Sequence, residues 1–493
     1  MIKSKAIEII KKLSEEEKLS FMDFLNSPFF NKKTKISELY NLILKNIERL
    51  DYEESSEEII FAELFKVKEF SYSFLRNLMS ELFQLCETFL IVNVQKNNSY
   101  SDINSAMILL RQYNTLTLDN LFISKYKKFL IDFKKSEIDD SYFDSIAKLY
   151  SENIAFDLFR SQMENVPLKL IDRSEYHLCC ITQLLETNMN DLTVNLKAFN
   201  LNLENEFIIE FVKNLDIENF LLTLDKHENH LKDEIEIRLR LILLNKNNEN
   251  TKNYFKLKDL VLKNVSKYNN AERFNVFIKL KNYCAVRIFE FDKDFYKEKY
   301  ILGKTETEYV KYNRDGVGPL YINVYIEVIN FALKMNDIKF AEYYIKFFTE
   351  ELELNKRESL FNLASAFVNF SKCNFEKVLE HISKVDTFNN LIKNTSKMLY
   401  IKTYYELNLL ESGFSALDSY IHYIKNNKSY TSNRKKMLIV EYDLLLKLYK
   451  IKSSQTKYTA LDLEIMKIDL NKSGVFFTEW YIEKINELLK TIK

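Results

Sequence analysis

Hydrophobic residues return every three or four positions along almost the whole of this 493-residue chain, the spacing of helices with one dry face. Ile2, Ala6, Ile9, Ile10 and Leu13 predict a short first helix. Ser14-Glu15-Glu16-Glu17 predicts the start of the next, because the serine hydroxyl can take the third amide while Glu17 reaches back. That helix carries Leu19, Phe21, Phe24 and Leu25, and is predicted to stop before Ser27-Pro28, since proline disfavours a helical residue ahead of it. Further helices are predicted over 39–50, 59–65 (opened by a second box at Ser55 and Glu58), 72–94, 103–113, 118–133, 141–163, 174–186, 203–215, 217–244, 253–268 and 271–290. Asparagine clusters, Asn97-Asn98-Ser99, Asn188-Met189-Asn190 and Asn245 to Asn250, predict the breaks, since asparagine tolerates left-handed backbone and caps helices.

Between Gly318 and Asn427 a second, longer period lies over the first. A turn-and-helix signature recurs from Ile338-Lys339-Phe340-Ala341 to Ile345, from Phe375-Glu376-Lys377-Val378 to Ile382, and from Phe414-Ser415-Ala416-Leu417 to Ile421. Ala341, Val378 and Leu417 stand 37 and 39 residues apart, and the isoleucines keep the same steps. Such a period marks stacked helix pairs, each unable to bury its apolar face alone. Arg314-Asp315-Gly316-Val317-Gly318-Pro319 predicts a turn, with Pro319 at the first position of a helix over 320–334. That helix is apolar except for Asn323, Glu327, Asn330 and Lys334, at i, i+4, i+7 and i+11, a narrow polar stripe on a buried cylinder. Closing helices are predicted over 435–449, 460–468 and 478–492. The expected organisation is a helical block (1–95), a helical array (96–250), a helix pair with its connecting loop (251–318), the repeats (319–430) and capping helices (431–493).

The pattern Ala366, Phe375, Val378, Ile382 and Val385 resembles a degenerate tetratricopeptide repeat. It departs from that family in lacking the tryptophan and the Leu-Gly pair of the first helix, in placing Cys373 where the turn glycine stands, and in its longer period. Leu13-Ser14 with Phe24-Leu25, then Ser27-Pro28-Phe29-Phe30-Asn31-Lys32, and Ile401 to Leu407 are similar to large uncharacterised bacterial helical-repeat proteins. The resemblance implies an all-α, tetratricopeptide-like α-solenoid that serves as a partner-binding platform.

Composition sharpens the fold and thins out the chemistry. The chain has 5 glycines and 3 prolines, where ordinary usage would give roughly 35 and 25. Hairpins, bulges and phosphate loops need positive φ, which glycine supplies most cheaply, so few strands are expected. Lys and Arg total 71, as do Asp and Glu. A neutral chain is not built mainly to coat nucleic acid or an anionic membrane. Neither a signal peptide nor a run of 18 apolar residues occurs, so no membrane is expected. Five cysteines, with no CxxC, suit a reducing compartment, and the cytoplasm is the expected place.

Four constellations invite chemistry. Gly303-Lys304-Thr305 resembles the tail of a phosphate-binding loop, but Glu298 stands where that loop needs glycine. Gly316-Val317-Gly318 precedes a helix, yet Pro319 removes one of the amides an anion would use. His227, His230 and Glu234 fall at i, i+3 and i+7 of a predicted helix, the spacing of metal ligands, within a segment polar enough to be a solvated face. Residues 252–287 hold nine basic side chains against Asp259 and Glu272. Lys252, Lys256, Lys263 and Lys267 would form one stripe able to follow a phosphate backbone, or simply the outside of a helix whose core face is Leu257, Leu260, Val261 and Val265. No hydrolase, zincin, dinucleotide or calcium-loop motif occurs. The expected function is therefore a non-enzymatic scaffold without cofactor that binds a protein or peptide, with Asn323, Glu327, Asn330 and Lys334 as its working line. A nucleic-acid-associated regulator using the lysine stripe is the alternative.

Overall fold

A computed structural model of the chain describes residues 5–46, 56–65, 71–97, 103–199, 206–246, 249–289, 292, 294–314, 316–430, 432–454, 457–472 and 478–491. Among these residues there are 24 α-helices and no strand. The chain forms two compact units, Met1–Asp132 with Lys148–Lys169, and Phe133–Ala147 with Leu170–Lys493.

Helices α1 (Lys5–Lys12), α2 (Glu15–Asn26), α3 (Thr34–Asn46), α4 (Ser56–Phe65) and α5 (Tyr72–Asn97) build the core of the first unit. The Ser14 box forms as the sequence predicts: Glu17 N–H donates to Ser14 Oγ at 3.2 Å, and Ser14 N–H to Glu17 Oε2 at 2.9 Å. Phe21 sits centrally, against Tyr40 and Phe89, each at a ring distance of 4.9 Å. The Ser55 box and Asn98-Ser99 fall outside the described residues. The chain continues through α6 (Ile103–Thr115), α7 (Asp119–Lys135), α8 (Tyr142–Phe159), α9 (Val166–Phe199), α10 (Phe207–Asn214), α11 (Ile217–Asp225) and α12 (Lys232–Lys246). It then runs through α13 (Thr251–Asn264), α14 (Asn270–Phe289), α15 (Asp294–Tyr309), α16 (Ile322–Lys334), α17 (Ile338–Phe348) and α18 (Arg357–Ser371). The last are α19 (Phe375–Ile382), α20 (Asn390–Glu406), α21 (Leu410–Asn426), α22 (Ser432–Lys452), α23 (Ala460–Lys472) and α24 (Glu479–Thr491). From α11 onward each helix packs chiefly on its neighbours in sequence, a succession of stacked hairpins.

Four expectations need correction. The helix predicted over 217–244 is two, α11 and α12, parted by a loop over 226–231 whose polar residues have no apolar face to bury. Asn188-Met189-Asn190 is not a break but lies inside α9. Met189 is buried there, and its packing outweighs the few tenths of a kcal/mol that asparagine costs a helix. Helix α15 went unforeseen because its dry face includes the charged Glu298, Lys299 and Glu306, which hide the apolar period. Finally, α16 starts at Ile322 rather than at Pro319. Leu320 N–H is instead taken by Glu351 O at 2.8 Å, so the segment after the proline is held as an extended strap.

The three hairpins α16–α17, α18–α19 and α20–α21 share one turn, atom for atom. Asn336, Cys373 and Asn408 have φ of 58°, 59° and 59°, the left-handed region. In each, the following N–H reaches back five residues: Asp337 to Ala332 O, Asn374 to Asn369 O, and Leu409 to Tyr404 O, all at 2.9 Å. That bond closes the last turn of the first helix, and the residue that donates it stands at the N-cap position of the second, where Asp337 alone of the three caps with its side chain. Ala341 and Val378 are buried at the matching place in the second helix, but in the third hairpin that place is held by the buried Gly413. Leu417 lies one helical turn further on, so the step between turns is 37 and then 35 residues rather than the predicted 37 and 39. Thr117 and Ser161, in the first unit, and Ser454 adopt the same backbone, so a glycine-poor chain uses asparagine, serine, threonine and cysteine where glycine would be easier. Left-handed backbone costs an L-residue roughly 1–2 kcal/mol, while glycine carries an entropic cost of about 0.5–1 kcal/mol. Replacing the exposed Cys373 by glycine is therefore expected to stabilise the protein by roughly 0.5 kcal/mol, read as a higher thermal midpoint; a lower one would contradict the strain assigned to this turn.

Helix α12 is buried on all sides from Glu234 to Leu244, charges included. Arg238 is 1% exposed, with Nη1 2.6 Å from Glu272 Oε1 and 3.8 Å from Glu186 Oε2. Lys279 Nζ completes the cluster 2.6 Å from Glu186, and Tyr268 donates its hydroxyl to Glu234 at 3.0 Å. Burial works against the Arg238 charge, but Glu272, Tyr268, Glu186 and Glu234 together hold its pKa above the ordinary value. Similar internal pairs tie α13 to α15 (Lys258–Glu298, 2.8 Å) and α14 to α15 (Lys281–Glu306).

Candidate binding groove

The polar stripe of α16 is where the sequence places it, but its charges are spoken for. Glu327 is paired with Lys299 of α15. Lys334 is paired with Glu479 of α24 and lies 3.7 Å above the Tyr296 ring centroid. Asn323 is exposed and Asn330 half-buried. The stripe thus fastens α16 to its neighbours at two of its four positions and leaves little charge for a ligand.

The lysine stripe is similarly divided. Lys252, Lys256, Lys263 and Lys267 are all exposed along α13 and the short turn that follows it. Lys256 pairs with Glu236 at 3.1 Å and Lys263 with Asp233 at 2.8 Å, both acids of α12. Pairing with Lys263 holds the Asp233 carboxyl below its ordinary range despite partial burial. His227 and His230 lie in the loop before α12 and do not share a helix with Glu234, whose buried carboxylate accepts from Tyr268. Among the described residues, no group of three His, Cys, Asp or Glu side chains is placed to hold a metal ion. Gly303-Lys304-Thr305 is helical, with Gly303 facing Val328 so closely that a Cβ there would stand 3.2 Å from its methyl. Gly316 takes a left-handed φ of 83° in the connecting loop, the conformation that explains a glycine there. The Cys86 and Cys284 thiols are pushed up to about 12 by burial, which makes them poor nucleophiles.

A recess of about 690 Å³ lies elsewhere, among α17, α18 and α19. Ile345 of α17 and Val368 of α18 are its buried apolar floor, and Phe361 of α18, 42% exposed, stands at its side. Thr349 closes one end, its hydroxyl 2.7 Å from Tyr325 Oη. Arg357 is locked at the rim: Nη1 donates to Glu350 Oε2 at 2.6 Å and Nε to Leu352 O at 3.0 Å. Glu342 is taken by Lys372 at 2.5 Å. At the far side Asn362 donates to Glu358 O at 2.9 Å and turns its Oδ1 to His381 Nδ1 at 3.0 Å. A proton on Nδ1 satisfies that contact, and the ring lines the recess. The groove can therefore seat an apolar side chain on Phe361, Ile345 and Val368, while His381, Ser365, Asn369 and the Glu358 carboxylate offer polar contacts.

Sequence reasoning missed this site. In Arg357–Ser371 apolar residues surround the whole helix, so nothing local separates the exposed Phe361 from the buried Leu360 and Leu363. Among the described residues no helix is long and apolar enough to cross a membrane. No protein family, no curated protein and no solved structure matches the chain.

Proposed function

We propose that this protein is a tetratricopeptide-like repeat scaffold that holds a peptide segment of a partner protein in the groove of α17, α18 and α19, and performs no chemistry of its own. One observation carries the reading: a recess of about 690 Å³ with an apolar floor, an exposed aromatic wall and a rim whose Arg357 is already engaged by Glu350. Arg357 is bound by Glu350 and Glu342 by Lys372, which leaves Lys346 and Glu358 on the rim and little net charge. The partner it fits presents an apolar anchor. The identical turns at Asn336, Cys373 and Asn408 support the repeat assignment, since equal backbone at matched positions is what a repeated unit predicts. The nucleic-acid reading loses support from the acids that pair with Lys256 and Lys263.

The test is affinity purification of the full chain from its own cells beside two variants, Phe361→Glu and Lys256→Glu with Lys263→Glu. Truncating a central aromatic anchor typically costs more than 1 kcal/mol, so Phe361→Glu is expected to weaken a reconstituted partner's binding by about tenfold or more. Retention of the partner by Phe361→Glu would overturn the groove. Loss in the lysine variant alone, together with steeply salt-dependent nucleic-acid binding by the unaltered chain, would favour the stripe instead.

A further inference from the structure

A second and smaller cavity, of about 390 Å³, lies between α20 and α21. Its walls carry Lys393 and Lys397 of α20 and Ser419, His422, Tyr423 and Asn426 of α21. The two lysines are one helical turn apart and both half-buried, an arrangement of like charges that destabilises a helix unless something offsets it. In the same unit Lys258, Lys279 and Lys281 are each met by a glutamate, while the half-buried Lys246 and Lys452 donate to backbone carbonyls. Lys393 and Lys397 instead meet neutral groups. Lys397 Nζ donates to Ser419 Oγ at 2.8 Å. Both ammonium groups stand over the Tyr423 ring, 5.0 and 5.9 Å from its centroid. Burial, and then Lys393, push the Lys397 pKa down, with no carboxylate acting against them. One acid lies near the mouth: Asp418, 76% exposed, is 3.7 Å from His422 Nε2.

The cavity is therefore rich in donors and poor in acceptors. Each ammonium has three N–H bonds to give, and Ser419, Asn426 and His422 add neutral donors around them. Tyr423 is fixed as a wall, its hydroxyl donating to Asn390 Oδ1 at 3.0 Å. Two cationic charges call for about two negative ones. A single carboxylate would leave one ammonium uncompensated, whereas a phosphomonoester carries about −1.5 to −2 at neutral pH and three acceptor oxygens. We propose that the α20–α21 cavity is a binding site for a phosphomonoester dianion, held by Lys393 and Lys397 against the Tyr423 ring with Ser419, Asn426 and His422 completing the oxygen contacts. The space exceeds a bare phosphoryl group and admits the small molecule or side chain that bears it. This site is separate from the peptide groove, and its test does not depend on that reading.

Calorimetric titration of the full chain with inorganic phosphate, free phosphoserine and a phosphoserine peptide, each at fixed ionic strength, tests the proposal. The comparison protein is Lys393→Met with Lys397→Met, which keeps the apolar stems over Tyr423 and removes the charges. Saturable binding to the wild type is expected, weakened about tenfold or more in the double variant, because two charge-assisted contacts are lost. Phosphate should raise the thermal midpoint of the wild type and leave that of the variant unmoved, while circular dichroism shows equal helix content. Phosphoserine binding as tightly as the peptide identifies a free phosphorylated molecule as the ligand; a tighter peptide identifies a modified side chain. Absence of saturable binding by all three, or equal affinity in the double variant, overturns the site.

Discussion

Replacing Arg238 by alanine is expected to destabilise the protein by about 3–5 kcal/mol, the usual cost of removing one partner from a buried ion pair. The side chain is fully buried, and its loss leaves the carboxylates of Glu186, Glu234 and Glu272 in a dry interior with Lys279 as the remaining cation. The effect has a pH signature. In the native protein burial pushes the Glu272 carboxyl up, but Arg238 and then Lys279 outweigh it and hold the pKa below the ordinary value. A lowered folded-state pKa contributes stability that is present above the unfolded value and lost as pH falls through the folded one. Without Arg238 the burial effect wins, the carboxyl is raised, and the variant loses stability as pH rises instead. The gap between the two proteins should thus be widest near neutrality and narrow in acid. Urea unfolding of both proteins across that range measures it; a gap that stays constant with pH would mean that charge is not what Arg238 contributes.

Gly413→Ala is the second large effect, and its sign is opposite to what helix propensity suggests. Glycine in a helix interior is worse than alanine by about 0.5–1 kcal/mol, so the substitution within α21 reads as an improvement. The packed structure forbids it. A Cβ on Gly413 would stand 2.1 Å from Tyr449 Cε1 and 2.3 Å from its hydroxyl oxygen. That ring has no room to retreat, being fully buried with its hydroxyl donating to Ile401 O at 2.6 Å and its edge against Tyr405. Overpacking of this kind costs typically 1–3 kcal/mol, enough to lower the thermal midpoint by several degrees in a domain of this size. Tyr449→Phe should not rescue the variant, because the ring carbon remains in the way. A raised midpoint in Gly413→Ala would show that α21 and α22 slide apart more easily than their contact implies.

Both predictions bear on what could be read before the structure was known. The capping box at Ser14, the stop before Pro28, the hairpins from 338 to 426 and the dry faces of most helices follow from spacing that any local window contains. Where the reading went astray, the deciding contact lay far along the chain. Helix α15 was invisible because Glu298, Lys299 and Glu306 count as polar until Lys258, Glu327 and Lys281 arrive to neutralise them. The working line assigned to Asn323, Glu327, Asn330 and Lys334 looked open because Lys299 and Glu479 stand 28 and 145 positions away from their partners. The metal-like spacing of His227, His230 and Glu234 dissolved once a loop separated α11 from α12.

The sequence alone determined that this is an all-helical chain of successive hairpins, because helix period, caps and scarcity of glycine act within a few residues of one another. Only the tertiary structure decided which polar groups are spent inside the protein and which face outward. A charge is costly or harmless according to the partner that meets it, and partners such as Arg238 and Glu272 are brought together by the packing of α12 against α14 rather than by any spacing along the chain.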